Sequence, residues 1–293
     1  MVKLIGVVGS GTMGGAIAYQ AAMCGFEVVL NDLTDEVLKK AVKRMEKFMD
    51  RSIEKGKMDF AEKDIVLSRI KRTTKLEDLK ECDVIIEAII EDLKAKKEMF
   101  ARLDEIVKEE AIIASNTSSM SITTLASVTK RPSQVAGMHF FNPPQIMKLV
   151  EVIRGYETSD ETIETLIELS IQLKKEPIEV KKDVPGFIVN RIMIPQFIEA
   201  IRLYEEGVAS IDDIDKAVTL GLNYPMGPFT LQDFAGVDIG LHVMDYFYEE
   251  LKDPRFAAPL TLRNLVRAGR TGKKAGAGWY DYDKNVPVTS SPK

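Results

Sequence analysis

Val2–Asp32, VKLIGVVGSGTMGGAIAYQAAMCGFEVVLND, reads as a strand, a glycine turn, a helix, a second strand and a terminal acid. Leu4–Val8 is apolar and partly β-branched, the pattern of a strand buried on both faces of a parallel sheet. Gly9, Gly11 and Gly14 follow in GxGxxG spacing. The first permits a tight turn, the second lets the backbone approach a pyrophosphate, and the third lets the helix pack on the strand. Phosphates would lie at the helix N-terminus, beside Thr12 and Met13. Such spacing alone is weak evidence. Here it follows a strand, opens a helix over Met13–Cys24 that Gly25 closes, and leads to a strand over Glu27–Leu30 ending at Asn31-Asp32. Asp32 lies 23 residues beyond Gly9, where a carboxylate accepts hydrogen bonds from adenosine ribose hydroxyls and repels a 2′-phosphate. The pattern therefore favours NAD over NADP. Two alternatives stay open: Asp32 with Thr34 also fits a helix cap before Val37, and Asn31 leaves room for NADP.

Outward from this segment, the chain of 293 residues is long enough for two domains, each with its own core. A hydrophobic share of 45% and a charged share of 29% are those of an ordinary soluble protein. The net charge of −5 gives no reason to expect nucleic acid or a membrane as partner. Cys24 and Cys82 lie in no CxxC pattern and have no histidine partner, so neither a disulfide framework nor a metal site is expected. The first strand begins at once, without room for a signal peptide, and no apolar run reaches membrane-spanning length. A cytoplasmic enzyme is the simplest expectation. Internal repeats are absent, and the polar tail after Asp283 is expected to fray.

Further strands are expected over Ile70–Thr73, Val84–Ala88, Ile112–Ser115, Gln134–Phe140, Lys148–Ile153 and Ile178–Val180, alternating with helical stretches. That alternation argues for an α/β fold with a Rossmann-type doubly wound sheet. After Asp183 helical periodicity takes over, and the polar stretch Lys174–Asp183 marks the boundary between an α/β domain over 1–183 and an all-α domain over 184–293. Helices are expected over Phe187–Glu206, over Asp212–Leu220 with Ser210 and Asp213 as a capping box, around Leu231–Leu251, and over Thr261–Ala268. The first of these is apolar around most of its circumference, which points to a homodimer formed through this half.

Two histidines differ in setting. His242 lies in an amphipathic helix and reads as a packing residue. His139, in GMHFFNPP, ends a strand at the carboxyl edge of a nucleotide-binding sheet, where catalysis is sited. Glu151, in KLVEVI, is a carboxylate in an apolar strand, an odd place unless it is paired. If the two strands lie side by side through the Asn142–Gln145 loop, Glu151 bonds one ring nitrogen of His139 and leaves the other as a general base. Ser115–Ser121, SNTSSMS, follows a strand and either offers donors to a substrate oxygen or caps a helix before Ile122. Glu91 trails the strand VIIEAII near the place of a nicotinamide ribose, with Lys96 about a turn beyond; a solvated helix start is the alternative.

Lys39, Lys43, Lys47, Arg51 and Lys55 form an i+4 ladder on one helical face, opposite Leu38, Ala41, Met45, Phe48 or Met49, and Ile53. Like charges at that spacing cost about 0.2–0.5 kcal/mol per pair. Their field can receive the phosphates of a nucleotide-bearing substrate, although Glu46, Asp50 and Glu54 dilute it.

With these residues in place, the chain closely resembles the L-3-hydroxyacyl-CoA dehydrogenase family in its short bacterial, 3-hydroxybutyryl-CoA-oxidising type. The resemblance is carried by GSGTMG, IIEAIIEDLKAKK, ASNTSSMSIT, GMHFFNPPQIMKLVEVI, DVPGFIVNRI, LNYPMGPF and GKKAGAGWYDY, which span nearly the whole chain in order. It implies direct hydride transfer between the substrate C3 and NAD, with His139 as the base and Glu151 as its orienting partner. It implies that Ser118 bonds the substrate oxygen and that Asn190 completes the site. Glu91, Lys96, Asn142 and Lys274 match cofactor-contacting positions, alongside Gly9, Gly11, Gly14 and Asp32. Lys55 lies near the CoA-contacting region on a helical hairpin inserted after the second strand. Asn31 and the Pro143-Pro144 pair depart from the family pattern, touching cofactor preference and loop stiffness. Two rival readings are a dehydrogenase of a free hydroxy acid on the same scaffold and a protein that binds NAD without turnover. The second predicts damage to the set His139, Glu151, Ser118 and Asn190, all of which are present. No hydratase half precedes the first strand, so a bifunctional enzyme is not expected.

Overall fold

The computed structural model describes residues 2–282. The chain divides into two compact units, the first closing at Phe187 and the second opening at Ile188. This division falls slightly after Asp183 because Phe187 packs into the core of the first unit, with Ile122, Ile153 and Val180.

The first unit holds eight strands: β1 Leu4–Val8, β2 Glu27–Asn31, β3 Ile70–Thr73, β4 Val84–Glu87, β5 Ile112–Ser115, β6 Val135–Phe140, β7 Leu149–Arg154 and β8 Glu176–Val180. They form one sheet in the order β3-β2-β1-β4-β5-β6-β7-β8. Strands β1 to β6 run parallel, as the doubly wound pattern requires. The far edge departs from that pattern. β7 is antiparallel to β6, and β8 is parallel to β7. The segment joining β6 to β7 is too short for a crossover, which takes a dozen or more residues, so the chain turns back as a hairpin. β8 is the edge strand, where the missing N–H of Pro177 is tolerated.

Six helices cover the faces: α1 Thr12–Met23, α2 Asp35–Glu54, α3 Phe60–Ser68, α4 Leu93–Ile106, α5 Ile122–Ala126 and α6 Asp160–Gln172. Alternate strand residues feed two cores. Ile5, Val7 and Leu30 lie with Ile17 and Met45 on one side, and Val8, Val29 and Ile85 with Phe100 and Leu103 on the other. The strand order reverses between β1 and β4, so a crevice opens outside their carboxyl ends, the place where ligands bind in such sheets.

The second unit is helical: α7 Val189–Glu205, α8 Ile211–Gly221, α9 Pro228–Ala235, α10 Val237–Leu251 and α11 Leu260–Arg267. Four details differ from the sequence expectation. α7 cannot begin at Phe187, whose φ of 54° lies in the left-handed region. It buries mainly one face, through Ile194, Phe197, Ile198 and Ile201, and leaves Ile192 58% exposed. The helix expected around Leu231–Leu251 is broken into α9 and α10 at Gly236, with φ of 107°. Ser210 caps α8 by accepting from Asp213 N, but the Asp213 carboxylate takes the Ser210 hydroxyl at 2.6 Å in place of the reciprocal backbone bond of a capping box. Trp279 and Phe229 close the core of this unit edge to face, with centroids 4.8 Å apart. Among the described residues no helix is long and apolar enough to cross a membrane. The tail after Asp283 lies outside the described residues.

Candidate active site

The glycine turn shows what each glycine is for. Gly9 has φ of 92°, and a Cβ there would fall 2.6 Å from the Ala88 carbonyl oxygen. A Cβ on Gly14 would lie 1.8 Å from the Gly9 carbonyl oxygen. These two glycines are demanded by the fold itself. Gly11 differs, because a Cβ there would meet no protein atom within 4 Å. Its missing side chain leaves bare backbone at the start of α1, a fit to a dinucleotide pyrophosphate. Thr12 and Met13 follow as the first residues of that helix.

Asp32 is fixed at the same turn. Its Oδ2 accepts from Ser10 N at 2.6 Å and Ser10 Oγ at 2.7 Å, and its Oδ1 accepts from Leu33 N at 2.7 Å. The carboxylate thus stands at the carboxyl end of β2 with acceptor capacity left for ribose hydroxyls. The cap of α2 is Thr34, which accepts from Val37 N at 3.4 Å, so Asp32 does not have that role. Asn31 is buried and donates its side-chain amide to Thr73 O at 3.2 Å, which removes the reason it gave for admitting NADP. One contact was not foreseen: Arg44 of α2 donates Nη2 to the carbonyls of Ser10 at 2.7 Å and Gly11 at 3.3 Å.

At the ends of β4 and β5 two carboxylates converge on one ammonium. Lys96, 1% exposed, donates to Glu87 at 2.7 Å and lies 3.2 Å from Glu91. Glu87, wholly buried, also accepts from Ser115 Oγ at 2.7 Å and Ile89 N at 2.8 Å. Lys96 is therefore held by these two acids inside the protein, next to the partly exposed Glu91. Glu91, in turn, accepts from Thr117 Oγ1 at 2.5 Å and Ser118 N at 3.1 Å, so it anchors the hydroxyl-rich loop instead of starting a solvated helix. That loop divides its tasks. Ser115 and Thr117 serve carboxylates, Asn116 Oδ1 accepts from Phe140 N at 2.9 Å beside His139, and Ser121 caps α5. Glu87 carries the same sequence signal as Glu151, an acid in an apolar strand, and is legible on that ground.

His139 and Glu151 are direct cross-strand partners in the β6–β7 hairpin. Both are buried, and His139 Nδ1 lies 2.7 Å from Glu151 Oε2. Glu151 sits on an interior strand, so it does not face solvent. A carboxylate only accepts, so the neutral ring carries its proton on Nδ1 and leaves Nε2 as an acceptor. Phe141 and Phe187 flank the imidazole, with centroids 4.5 Å and 5.7 Å away. The loop after His139 is tied down by Lys175, which donates to Pro144 O at 2.5 Å and Met147 O at 3.0 Å. Burial pushes this ammonium below the usual lysine range. Asn142 is exposed on that loop and lines a cavity of about 120 Å³ with Thr12, Gly15, Arg44 and Gln145.

The remaining candidates are carried by other elements. Asn190 is in the first turn of α7. Lys274 pairs within the helical unit with Asp238 at 2.7 Å. Lys55 is the exposed C-cap of α2 and ends a ladder whose members are all exposed, while Asp50, one of the diluting acids, is taken by Lys63. His242 is exposed on α10 and is not a packing residue.

Comparison with known proteins bears on this geometry. Residues 4–184 match the family description "3-hydroxyacyl-CoA dehydrogenase, NAD binding domain", and residues 186–282 match "3-hydroxyacyl-CoA dehydrogenase, C-terminal domain". The chain is 47% identical over 280 residues to 3-hydroxybutyryl-CoA dehydrogenase of Clostridioides difficile, covering 96% of this chain and 99% of that one. It is 44% identical to the mitochondrial hydroxyacyl-coenzyme A dehydrogenase of Sus scrofa, covering 96% and 92%. The crystal structure of (S)-3-hydroxybutyryl-CoA dehydrogenase from Ralstonia eutropha is similar at a TM-score of 0.93 and 45% identity, covering 96% and 99%.

Proposed function

The chain belongs to the 3-hydroxyacyl-CoA dehydrogenase family of NAD-dependent oxidoreductases, and on that premise we propose that it interconverts short-chain (3S)-3-hydroxyacyl-CoA, such as 3-hydroxybutyryl-CoA, and the 3-ketoacyl-CoA. The observation that carries the mechanism is the buried pair of His139 and Glu151 at 2.7 Å on adjacent strands. NAD, when bound at the glycine turn, supplies the hydride acceptor for the substrate C3. His139 Nε2 takes the proton of the substrate 3-hydroxyl, and Glu151 supports the positive charge that the ring then carries. In the reverse direction the imidazolium donates that proton to the carbonyl oxygen. Ser118 and Asn190 are assigned to the substrate oxygen. Asp32, Gly9, Gly11, Thr12, Met13 and Gly14 are assigned to the adenosine and diphosphate, and Glu91, Lys96, Asn142 and Lys274 are assigned as further contacts of the cofactor. Lys55 and the ladder are assigned to the phosphates of CoA, their exposure leaving them open to such a ligand.

We also place the enzyme in the cytoplasm as a homodimer. Its two cysteines are unpaired thiols. Apolar side chains such as Ile192, Leu222, Phe234 and Leu260 stand exposed on the helical unit, a surface suited to a second copy. Light scattering after size exclusion should give twice the chain mass.

Initial rates of NADH and NADPH oxidation with acetoacetyl-CoA, longer 3-ketoacyl-CoAs and free acetoacetate test the activity. Fast oxidation of NADH with acetoacetyl-CoA is expected, with slower rates for longer chains and for NADPH. Equal turnover of acetoacetate and acetoacetyl-CoA would favour the free-acid reading.

A further inference from the structure

We propose that Arg44 is a cofactor-binding residue, a cation that α2 brings to the glycine turn to meet the dinucleotide diphosphate. The inference rests on the assignment of that turn to the diphosphate, and it follows from how the turn is charged. A phosphate-binding turn works through its amide N–H groups, while its carbonyl oxygens carry the wrong partial charge for an anion. Arg44 Nη2 covers two of those oxygens, Ser10 O at 2.7 Å and Gly11 O at 3.3 Å. It offsets their negative ends and adds a full positive charge at the start of α1.

The fold is arranged to bring it there. Gly15 of α1 faces this part of α2, since a Cβ on it would lie in ordinary contact with Ala41 Cβ at 3.5 Å and Arg44 Nη2 at 3.8 Å. Ala41 and Met45 bury the neighbouring face of α2, while Arg44 itself stays exposed and keeps its hydration. Among the described residues it pairs with no carboxylate, so its charge is not already spent on an acid. Together with Thr12 it borders the cavity of about 120 Å³ beside the first turn of α1. Ser10 is the hub of the arrangement. Its N–H and hydroxyl hold Asp32 for the ribose, and its carbonyl holds Arg44 for the phosphates.

Calorimetric titration of the full chain with ADP-ribose and with adenosine separates a charge role from a structural one. Arg44→Met should weaken ADP-ribose binding about tenfold and leave adenosine within about twofold, with Arg44→Lys between wild type and Arg44→Met. The ADP-ribose deficit should shrink as salt rises from about 0.05 to about 0.5 M, because the missing term is screened. Adenosine binding by the variant reports that the turn is still formed. Unchanged ADP-ribose affinity in Arg44→Met overturns the proposal, as does an equal loss for both ligands, which would make Arg44 only a tether of the turn. A wild-type protein that fails to bind ADP-ribose would overturn the assignment of the turn itself.

Discussion

Two buried carboxylates of the sheet unit, Glu87 and Glu151, and two of the helical unit, Asp215 and Asp233, differ in the donors they face. In the helical unit Asp215 accepts from Phe229 N at 2.8 Å, Thr230 N at 2.9 Å, Thr230 Oγ1 at 2.6 Å and Tyr280 OH at 3.0 Å. Asp233 accepts from Trp279 N at 2.8 Å, Tyr280 N at 2.9 Å and Tyr282 OH at 3.0 Å. None of these donors releases a proton near neutrality. Burial, and then the facing aspartates, hold the Tyr280 and Tyr282 hydroxyls above the usual phenol range. These acids are staples that fold Gly227–Phe229 and Gly278–Tyr282 onto the core. In the sheet unit, Glu87 and Glu151 instead face Lys96 and His139, side chains that carry charge or move it. A buried acid in an apolar segment signals pairing, and the donor decides whether the pair is scaffold or chemistry.

Substitution should separate the two classes. His139→Ala should lower kcat by about 10²-fold or more, the usual worth of a general base, with an unchanged melting curve. Glu151→Gln should lower kcat by about 10- to 10²-fold while the fold persists, because the amide no longer supports the imidazolium. Near-normal turnover in either would remove the contrast. Asp233→Asn should act the other way, costing about 1–3 kcal/mol of stability by denaturant unfolding with near-normal kcat per folded molecule.

The smallest effect is in pH. Burial lifts the Asp233 carboxyl above the usual range, against the pull of its Tyr280, Trp279 and Tyr282 donors. The folded state then holds this proton more tightly than the unfolded state. Its contribution is fully present below the unfolded value and is lost as pH rises through the raised folded value. Unfolding of wild type and Asp233→Asn between about pH 3 and 6 should show this slope in the wild type only.

Much of this was legible in the residues. The glycine turn, the strand sequence and the His139–Glu151 pair follow from local patterns, because a short hairpin sets His139 and Glu151, twelve positions apart, directly opposite each other. What escaped depended on partners distant in sequence. Arg44 looks like one more surface charge beside the ladder, since its partners are backbone carbonyls more than thirty positions away. Lys96 carries no sequence sign of burial, and its choice of Glu87 is made by packing between β4 and α4. The pairing of Lys274 with Asp238 spans 36 positions and leaves no periodic trace. The break at Gly236 was hidden because the apolar pattern continues through it.

The central claim is that Glu151 fixes the imidazole so that Nε2 is the reacting nitrogen, and nitrogen-15 NMR of the histidine rings tests it most directly. The chain has only two histidines, and His242→Gln leaves His139 alone in the spectrum. The neutral ring should show a proton on Nδ1 and a bare Nε2. A neutral ring protonated on Nε2 would contradict the account.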